Sequence, residues 1–227
     1  CICRLPERRS IAWPRSSCPR CGKRLAPRDL VPVLSYLALG GRCRYCREPV
    51  SAQYPIVELA TGLLFATVVA AYGVSLVSLK YLIFVSLLII VAGTDINTRL
   101  IPNVVTYPGM AIGLILSLLV PGVSFLRSIV GLLVCGGVVY LLAWASRGGM
   151  GGGDIKLMGM MGAFLGWDAG LLALFVGALL GSVVGIVRIA SGKQKRRDPM
   201  PFGPFLAVGG LISAFFAPSI LSFIFLQ

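Results

Sequence analysis

The sequence predicts an all-α polytopic membrane protein with a small cysteine-rich domain at its N-terminal end. Three observations carry this. The chain of 227 residues is 57% apolar and only 13% charged, and its mean hydropathy is +0.89. Soluble domains carry about 25% charged residues. The deficit comes from long uncharged runs after Pro55, which membrane insertion explains and a water-soluble core does not. Four of the seven cysteines fall in two CxxC pairs within the first 54 residues.

Residues 1–54 are the polar part. They hold 11 of the 21 Lys and Arg and several Pro and Gly, and they read as a small folded domain or a large loop, expected on the cytoplasmic side. Residues 55–227 read as a transmembrane helical bundle. Seven spans are expected, at about 56–74, 78–93, 104–120, 126–145, 154–167, 169–190 and 204–225. Gly, Pro and charge separate them: Gly73, Gly93 to Pro102, Pro121-Gly122, Arg147 to Gly153, Trp167-Asp168 and Ser191 to Pro204. The fifth stretch is short enough to be re-entrant, but charge argues that it crosses. With residues 1–54 in the cytoplasm and every stretch crossing, all Lys and Arg except Lys80 and Arg127 collect on the cytoplasmic side, as the positive-inside rule requires. If 154–167 did not cross, the run Lys193-Gln194-Lys195-Arg196-Arg197 would lie outside. Gly177, Gly181 and Gly185 recur every four residues, a spacing that lets helices approach closely in lipid.

The net charge of +13 raises the question of nucleic acid. Topology accounts for it better, because the basic residues lie where cytoplasmic loops are expected, so the expected partner is the lipid bilayer and not nucleic acid. The chain lacks an initiator Met and opens at Cys1-Ile2-Cys3. A start is expected to precede it, and no cleavable signal peptide is visible.

The chain has no histidine. That removes Ser-His and Cys-His nucleophile pairs, HExxH metal sites and His relays together. Acid–base chemistry falls to carboxylates, Lys, Tyr, Cys or a metal-bound water. An Asp near a bilayer is costly and is a functional candidate by default. Asp95 ends the second stretch, in Gly93-Thr94-Asp95-Ile96-Asn97. Asp154 opens the fifth, after Gly151-Gly152-Gly153. The expected topology puts both at one depth on the cytoplasmic side. Two carboxylates in a low-dielectric site can share one proton, leaving one acid and one base. The alternatives are that Asp154 only caps its helix and that Asp95 is only a helix-end residue. Gly151 to Gly153 permit close backbone approach to a substrate strand. Lys156 either tunes Asp154 or anchors at headgroups. Glu58, near the start of the first stretch, is either interfacial or functional. Asp168 falls on the opposite face and is assigned no catalytic role.

Cys18-Pro-Arg-Cys21 and Cys43-Arg-Tyr-Cys46 have the spacing of a four-cysteine zinc site. With all four positions taken by Cys18, Cys21, Cys43 and Cys46, such a zinc is structural. Two disulfides and a redox CxxC are the alternatives. Cys1, Cys3 and Cys135 read as small apolar residues.

These residues together resemble the type IV prepilin peptidases, the leader peptidases of type IV pili and type II secretion. The resemblance runs from Cys3-Arg4-Leu5-Pro6 through both CxxC knuckles, Tyr54-Pro55-Ile56-Val57-Glu58, Asp95 with Ile101-Pro102-Asn103 and Gly151-Gly152-Gly153-Asp154-Ile155-Lys156 (a GxGD signature), to Pro201-Phe202-Gly203-Pro204-Phe205. It implies an eight-helix fold with one helix before Cys1, and an enzyme of the bacterial cytoplasmic membrane. The implied activity is an aspartyl endopeptidase with Asp95 and Asp154 as catalytic pair. The implied substrates are prepilins and pseudopilins, cut after a short basic leader at the cytoplasmic face. It also implies N-methylation of the new N-terminus with S-adenosylmethionine, for which Glu58 is a candidate residue.

Overall fold

The structure is a computed structural model that describes residues 16–146, 150–192 and 200–225. The Cys3–Pro6 segment, Cys1 and the 193–197 basic run lie outside the described residues. The chain divides into two compact units, the first ending at Gly73 and the second running from Val74.

In the first unit, each CxxC pair sits in a small knuckle closed by an antiparallel bridge, Ser17 with Arg24 and Arg42 with Pro49. The two knuckles repeat one backbone pattern. Gly22 donates to the Cys18 carbonyl (2.9 Å) and Arg47 to the Cys43 carbonyl (3.0 Å). Both donors take positive φ, +69° and +60°. That conformation is free for Gly and strained for Arg, so the second knuckle holds Arg47 in a turn its side chain disfavours. A 3₁₀ turn at Pro27–Leu30 and a short helix α1 (Leu34–Ala38) lie between the knuckles. Helix α2 (Gln53–Tyr72) follows and stops at Gly73, whose φ of +63° ends it. Among the described residues of this unit only Cys18, Cys43 and Val68 are buried. The cysteine-rich segment therefore has almost no apolar core of its own.

The second unit contains α3 (Leu76–Thr98), α4 (Asn103–Leu119), α5 (Phe125–Ala145), α6 (Gly152–Leu165), α7 (Trp167–Ala190) and α8 (Gly203–Phe225). Ser75 and Ser124 cap α3 and α5, accepting from the amides of Ser78 and Arg127, as residues of this type do at helix starts. No strand occurs among the described residues. Each expected span forms a helix, so the all-α polytopic class holds. Five of them, α2, α3, α5, α7 and α8, are long and apolar enough to cross a membrane alone. The expected count of seven crossings is not established, because α4 has 17 residues and α6 has 14. At about 1.5 Å per residue, α6 is shorter than a hydrocarbon core of about 30 Å. It does not need that length, because it faces protein. It packs against α4, α5, α7 and α8, and every residue from Leu157 to Leu165 is buried.

Small residues set these helix contacts. A Cβ on Gly131 of α5 would strike the Gly162 backbone of α6, and one on Gly162 would strike the Gly131 backbone. Gly177 lies against the Leu206 backbone, where a Cβ would meet Cα at 3.0 Å, and Gly181 lies against the Phe202 ring at 3.3 Å. The fourfold glycine spacing read from the sequence thus forms the α7–α8 seam, a packing mode that lets backbones touch in lipid. At the end of the unit remote from Asp95, Arg127 and Asp168 form an ion pair joining the starts of α5 and α7. Asp168 is thereby occupied structurally.

Candidate active site

Asp95 lies one turn before the end of α3, where Arg99 closes the helix in a left-handed conformation (φ +55°) and donates to the Asp95 carbonyl at 2.8 Å. Asp154 is the third residue of α6. The fold buries both residues, 5% and 8% exposed, and Asp154 lies within electrostatic reach of Asp95. Asp95 Oδ2 accepts from the Gly203 amide at 2.8 Å, and Asp154 Oδ2 accepts from the Gly151 amide at 3.2 Å. Among the described residues, no further donor and no cation reaches either carboxylate. Each aspartate is thus held by one oxygen, with the other available to water or to a shared proton.

The capping alternative for Asp154 is partly real. Its amide donates to the Gly151 carbonyl (3.0 Å) while its carboxylate takes the Gly151 amide, which is the return half of a capping box. Capping uses one oxygen of two and does not explain why a second buried acid stands beside it. Unpaired carboxylates in a low-dielectric site raise each other's cost of ionisation, and they persist in folds where that cost serves chemistry.

The surrounding residues hold this pair in register. Gly153 packs on Ile101, where a Cβ would meet the Ile101 Cβ at 2.8 Å. Lys156 does not pair with Asp154. Its ammonium donates to Asn103 Oδ1 at 2.8 Å and lies 5.2 Å from the centre of the Tyr107 ring. It therefore ties α6 to the start of α4, rather than choosing between the two roles expected from the sequence. Gly151 and Gly153 are explained as a carboxylate donor and a close-packing site.

Gly203 is the site residue that sequence reasoning missed, although it sits inside the quoted Pro201–Phe205 segment. A signal was available. Pro204 at the second position of α8 marks a helix start, and the first amides of a helix have no partner within it. Such an amide carries the positive end of the helix dipole and seeks an anion. A Cβ on Gly203 would lie 2.8 Å from Asp95 Oδ2 and 3.1 Å from its Cγ. The obstruction is a movable side chain, so Gly203→Ala is expected to fold, displace the Asp95 carboxylate and lower kcat about 10- to 100-fold. An unchanged kcat, with melting temperature as control, counts against a role for this contact.

In the first unit the four thiols of Cys18, Cys21, Cys43 and Cys46 lie within 4.8 Å of one another, and none is in a disulfide. The Cys18 and Cys46 sulfurs are 3.9 Å apart. A tetrahedral zinc with bonds of about 2.3 Å needs sulfurs about 3.8 Å apart, so the donor set fits such an ion. The backbone amides of Cys21 and Arg20 help bring the Cys18 thiol down to about 7. The Glu48 amide favours the Cys46 thiolate, but burial and the neighbouring thiols push Cys46 up to about 12. Asp29 brackets the knuckles. Arg44 binds its Oδ1 at 2.6 Å and holds its carboxyl below the usual range, helped by the Tyr45 hydroxyl at 3.1 Å. Glu58, also in this unit, is exposed, and its Oε2 accepts from the Val33 amide at 2.8 Å. Val33 has φ +60°, so this bond holds a strained turn at the start of α1.

Residues 1–72 match the bacterial peptidase A24 N-terminal domain, and residues 82–186 match the type IV leader peptidase family. The chain is 38% identical over 217 residues to the prepilin leader peptidase/N-methyltransferase of Burkholderia pseudomallei strain K96243, covering 93% of this chain and 70% of the relative. It is 38% identical over 226 residues to the protein of that name from Bacillus subtilis strain 168, covering 97% and 89%. The Aeromonas hydrophila protein of that name is 36% identical over 216 residues, covering 93% and 74%. No solved structure matches the chain. The matches extend over both units, the cysteine knuckles and both aspartates, and the chain belongs to the type IV leader peptidase family.

Proposed function

We propose that this protein is an aspartyl endopeptidase that removes the basic leader from prepilins and pseudopilins, and that it also N-methylates the new N-terminus. The family and the shared name of its relatives support both activities. The observation that carries the chemistry is the buried Asp95–Asp154 pair, drawn from helices far apart in sequence and paired with no cation among the described residues. One carboxylate takes a proton from water as the oxygen attacks the scissile carbonyl carbon. The other, protonated, gives its proton to the carbonyl oxygen. Collapse of the tetrahedral intermediate breaks the C–N bond: the first carboxyl gives its proton to the leaving amine, and the second carboxylate takes back a proton from a hydroxyl of the intermediate as the carbonyl re-forms. Ordering one water between two fixed acids makes this step unimolecular.

The orientation that serves this reaction puts residues 1–54 and both aspartates on the cytoplasmic side of the bacterial cytoplasmic membrane, with residues 55–227 as the protease bundle. The positive-inside distribution supports it. The four thiols suit a structural zinc. S-adenosylmethionine, when bound, would supply the methyl group of the second activity. The bond from Glu58 to the Val33 amide holds a turn and does not mark a cofactor cradle, so its proposed place in methylation rests on the family resemblance alone.

The test is a cleavage assay of purified full chain on a synthetic prepilin, with and without S-adenosylmethionine. Mass spectrometry should show loss of the leader and, with the cofactor, a gain of one methyl. Intact prepilin after prolonged incubation would favour the rival reading, in which an intramembrane acid pair carries protons or cations.

A further inference from the structure

The cysteine-rich unit carries an apolar patch that its own fold does not use. Leu30, Val31, Leu34 and Leu37 lie within eight residues and are each 42% to 68% exposed. Leu34 and Leu37, three apart on α1, share a face. Tyr36 is half-buried, and its hydroxyl donates to the Val50 carbonyl at 3.4 Å. The unit thus holds α1 by one side and presents the other. Large apolar side chains grouped in this way mark an interaction surface.

Two observations say what covers it. The first is position. Glu58 accepts from the Val33 amide at 2.8 Å, which fastens the residue before α1 to the second turn of α2. Helix α2 has 20 residues, about 30 Å of length, which matches a hydrocarbon core. The membrane interface therefore lies at its first turn. Tyr54 is exposed there, and Tyr is a residue enriched at that level. Glu58 is four residues further on, about 6 Å, and long helical side chains lean back toward the helix start. The bond to Val33 thus sets α1 at the interface.

The second is charge. From Leu30 to Gly41 the chain carries no charged residue. Exposed Arg28 precedes this stretch and exposed Arg42 follows it. Asp29, the adjoining acid, is taken by Arg44 and Tyr45. An apolar segment bracketed by arginines suits hydrocarbon lying under anionic headgroups.

We propose that Leu30, Val31, Leu34 and Leu37 insert into the lipid interface at the start of α2, with anionic phospholipid headgroups on Arg28 and Arg42. The four-thiol cluster then rides at the membrane surface.

The test uses the full chain in phosphatidylcholine vesicles, with and without phosphatidylglycerol. Trp13, Trp144 and Trp167 are replaced by Phe. A single fluorescent reporter is then introduced by Leu34→Trp or, in separate samples, by Leu37→Trp or Leu63→Trp. Leu63 lies midway along α2 and serves as the deep reference. Brominated phosphatidylcholines carry the quencher either near the headgroup or at the chain end. The reporters at 34 and 37 should emit at blue-shifted wavelengths. Bromine near the headgroup should quench them more than bromine at the chain end, the reverse of the order expected at 63. Phosphatidylglycerol should deepen the quenching, and Arg28→Gln combined with Arg42→Gln should remove that gain. Water-like emission that bromine leaves unchanged would overturn the proposal. So would blue-shifted emission without quenching, which would mean that protein covers the patch. A phosphatidylglycerol effect that survives loss of both arginines would overturn the headgroup contact. Should one reporter variant fail to fold, the other decides.

Discussion

Asp95→Asn and Asp154→Asn will each abolish leader cleavage while the protein remains folded. The substitution keeps the shape of the side chain and one carbonyl oxygen. That oxygen can still accept from the Gly203 amide in the Asp95→Asn variant and from the Gly151 amide in the Asp154→Asn variant, the bonds that the two carboxylates make in the native chain. What is lost is the exchangeable proton. General acid–base catalysis contributes about 10²- to 10⁴-fold in rate, and the two residues act on a single water. Each single variant should therefore lose at least about a thousandfold in kcat/KM, and the double variant should lose little more, as expected of groups that work as a unit. A purely capping role predicts a different outcome, with activity near wild type and any change confined to stability. Measuring kcat/KM and the unfolding temperature on the same samples separates the two. Wild-type cleavage by either variant ends the assignment of a catalytic pair.

The parts of this protein legible in the sequence are those written in local pattern. Apolar runs marked the helices, CxxC spacing marked the thiol cluster, and the cost of Asp in a bilayer singled out Asp95 and Asp154. Contacts between distant segments were not legible. The Gly203 amide reaches Asp95 across 108 positions, and Lys156 reaches Asn103 across 53. In neither case does a residue's own surroundings name its partner. The short α6 shows a different limit. Span-length arguments assume lipid on all sides, whereas α6 is enclosed by four other helices, so its length reports on neighbours that a linear reading does not contain. Composition turns apolar at Pro55, while compactness divides the chain at Gly73, because α2 continues the unit of the knuckles.

Removing the zinc proposed for the four thiols should undo the knuckle segment selectively. Two buried cysteines, the cross-link of Asp29 with Arg44 and Tyr45, and the single bonds from Val33 to Glu58 and from Tyr36 to the Val50 carbonyl are too little to order residues 16–50. Fixing each backbone residue costs about 1–2 kcal/mol, and the segment buries almost no apolar side chain. A four-thiolate zinc contributes about 10–16 kcal/mol of apparent binding free energy in small domains, which is the scale this segment needs. Elemental analysis should therefore find about one zinc per chain, and Cys18→Ser combined with Cys43→Ser should remove it. With chelator or in that variant, proteolysis within residues 16–50 should accelerate at least about a hundredfold, since losing even about 3 kcal/mol raises the open population by two powers of ten. The six helices α3 to α8 have a packed glycine-rich seam and a buried central helix, so their helical signal should persist. A chain with four thiolates and no zinc, equally resistant to protease before and after chelation, would show that the knuckles stand on their backbone turns alone. Reductant-sensitive protection without zinc would instead reveal paired disulfides in the same four positions.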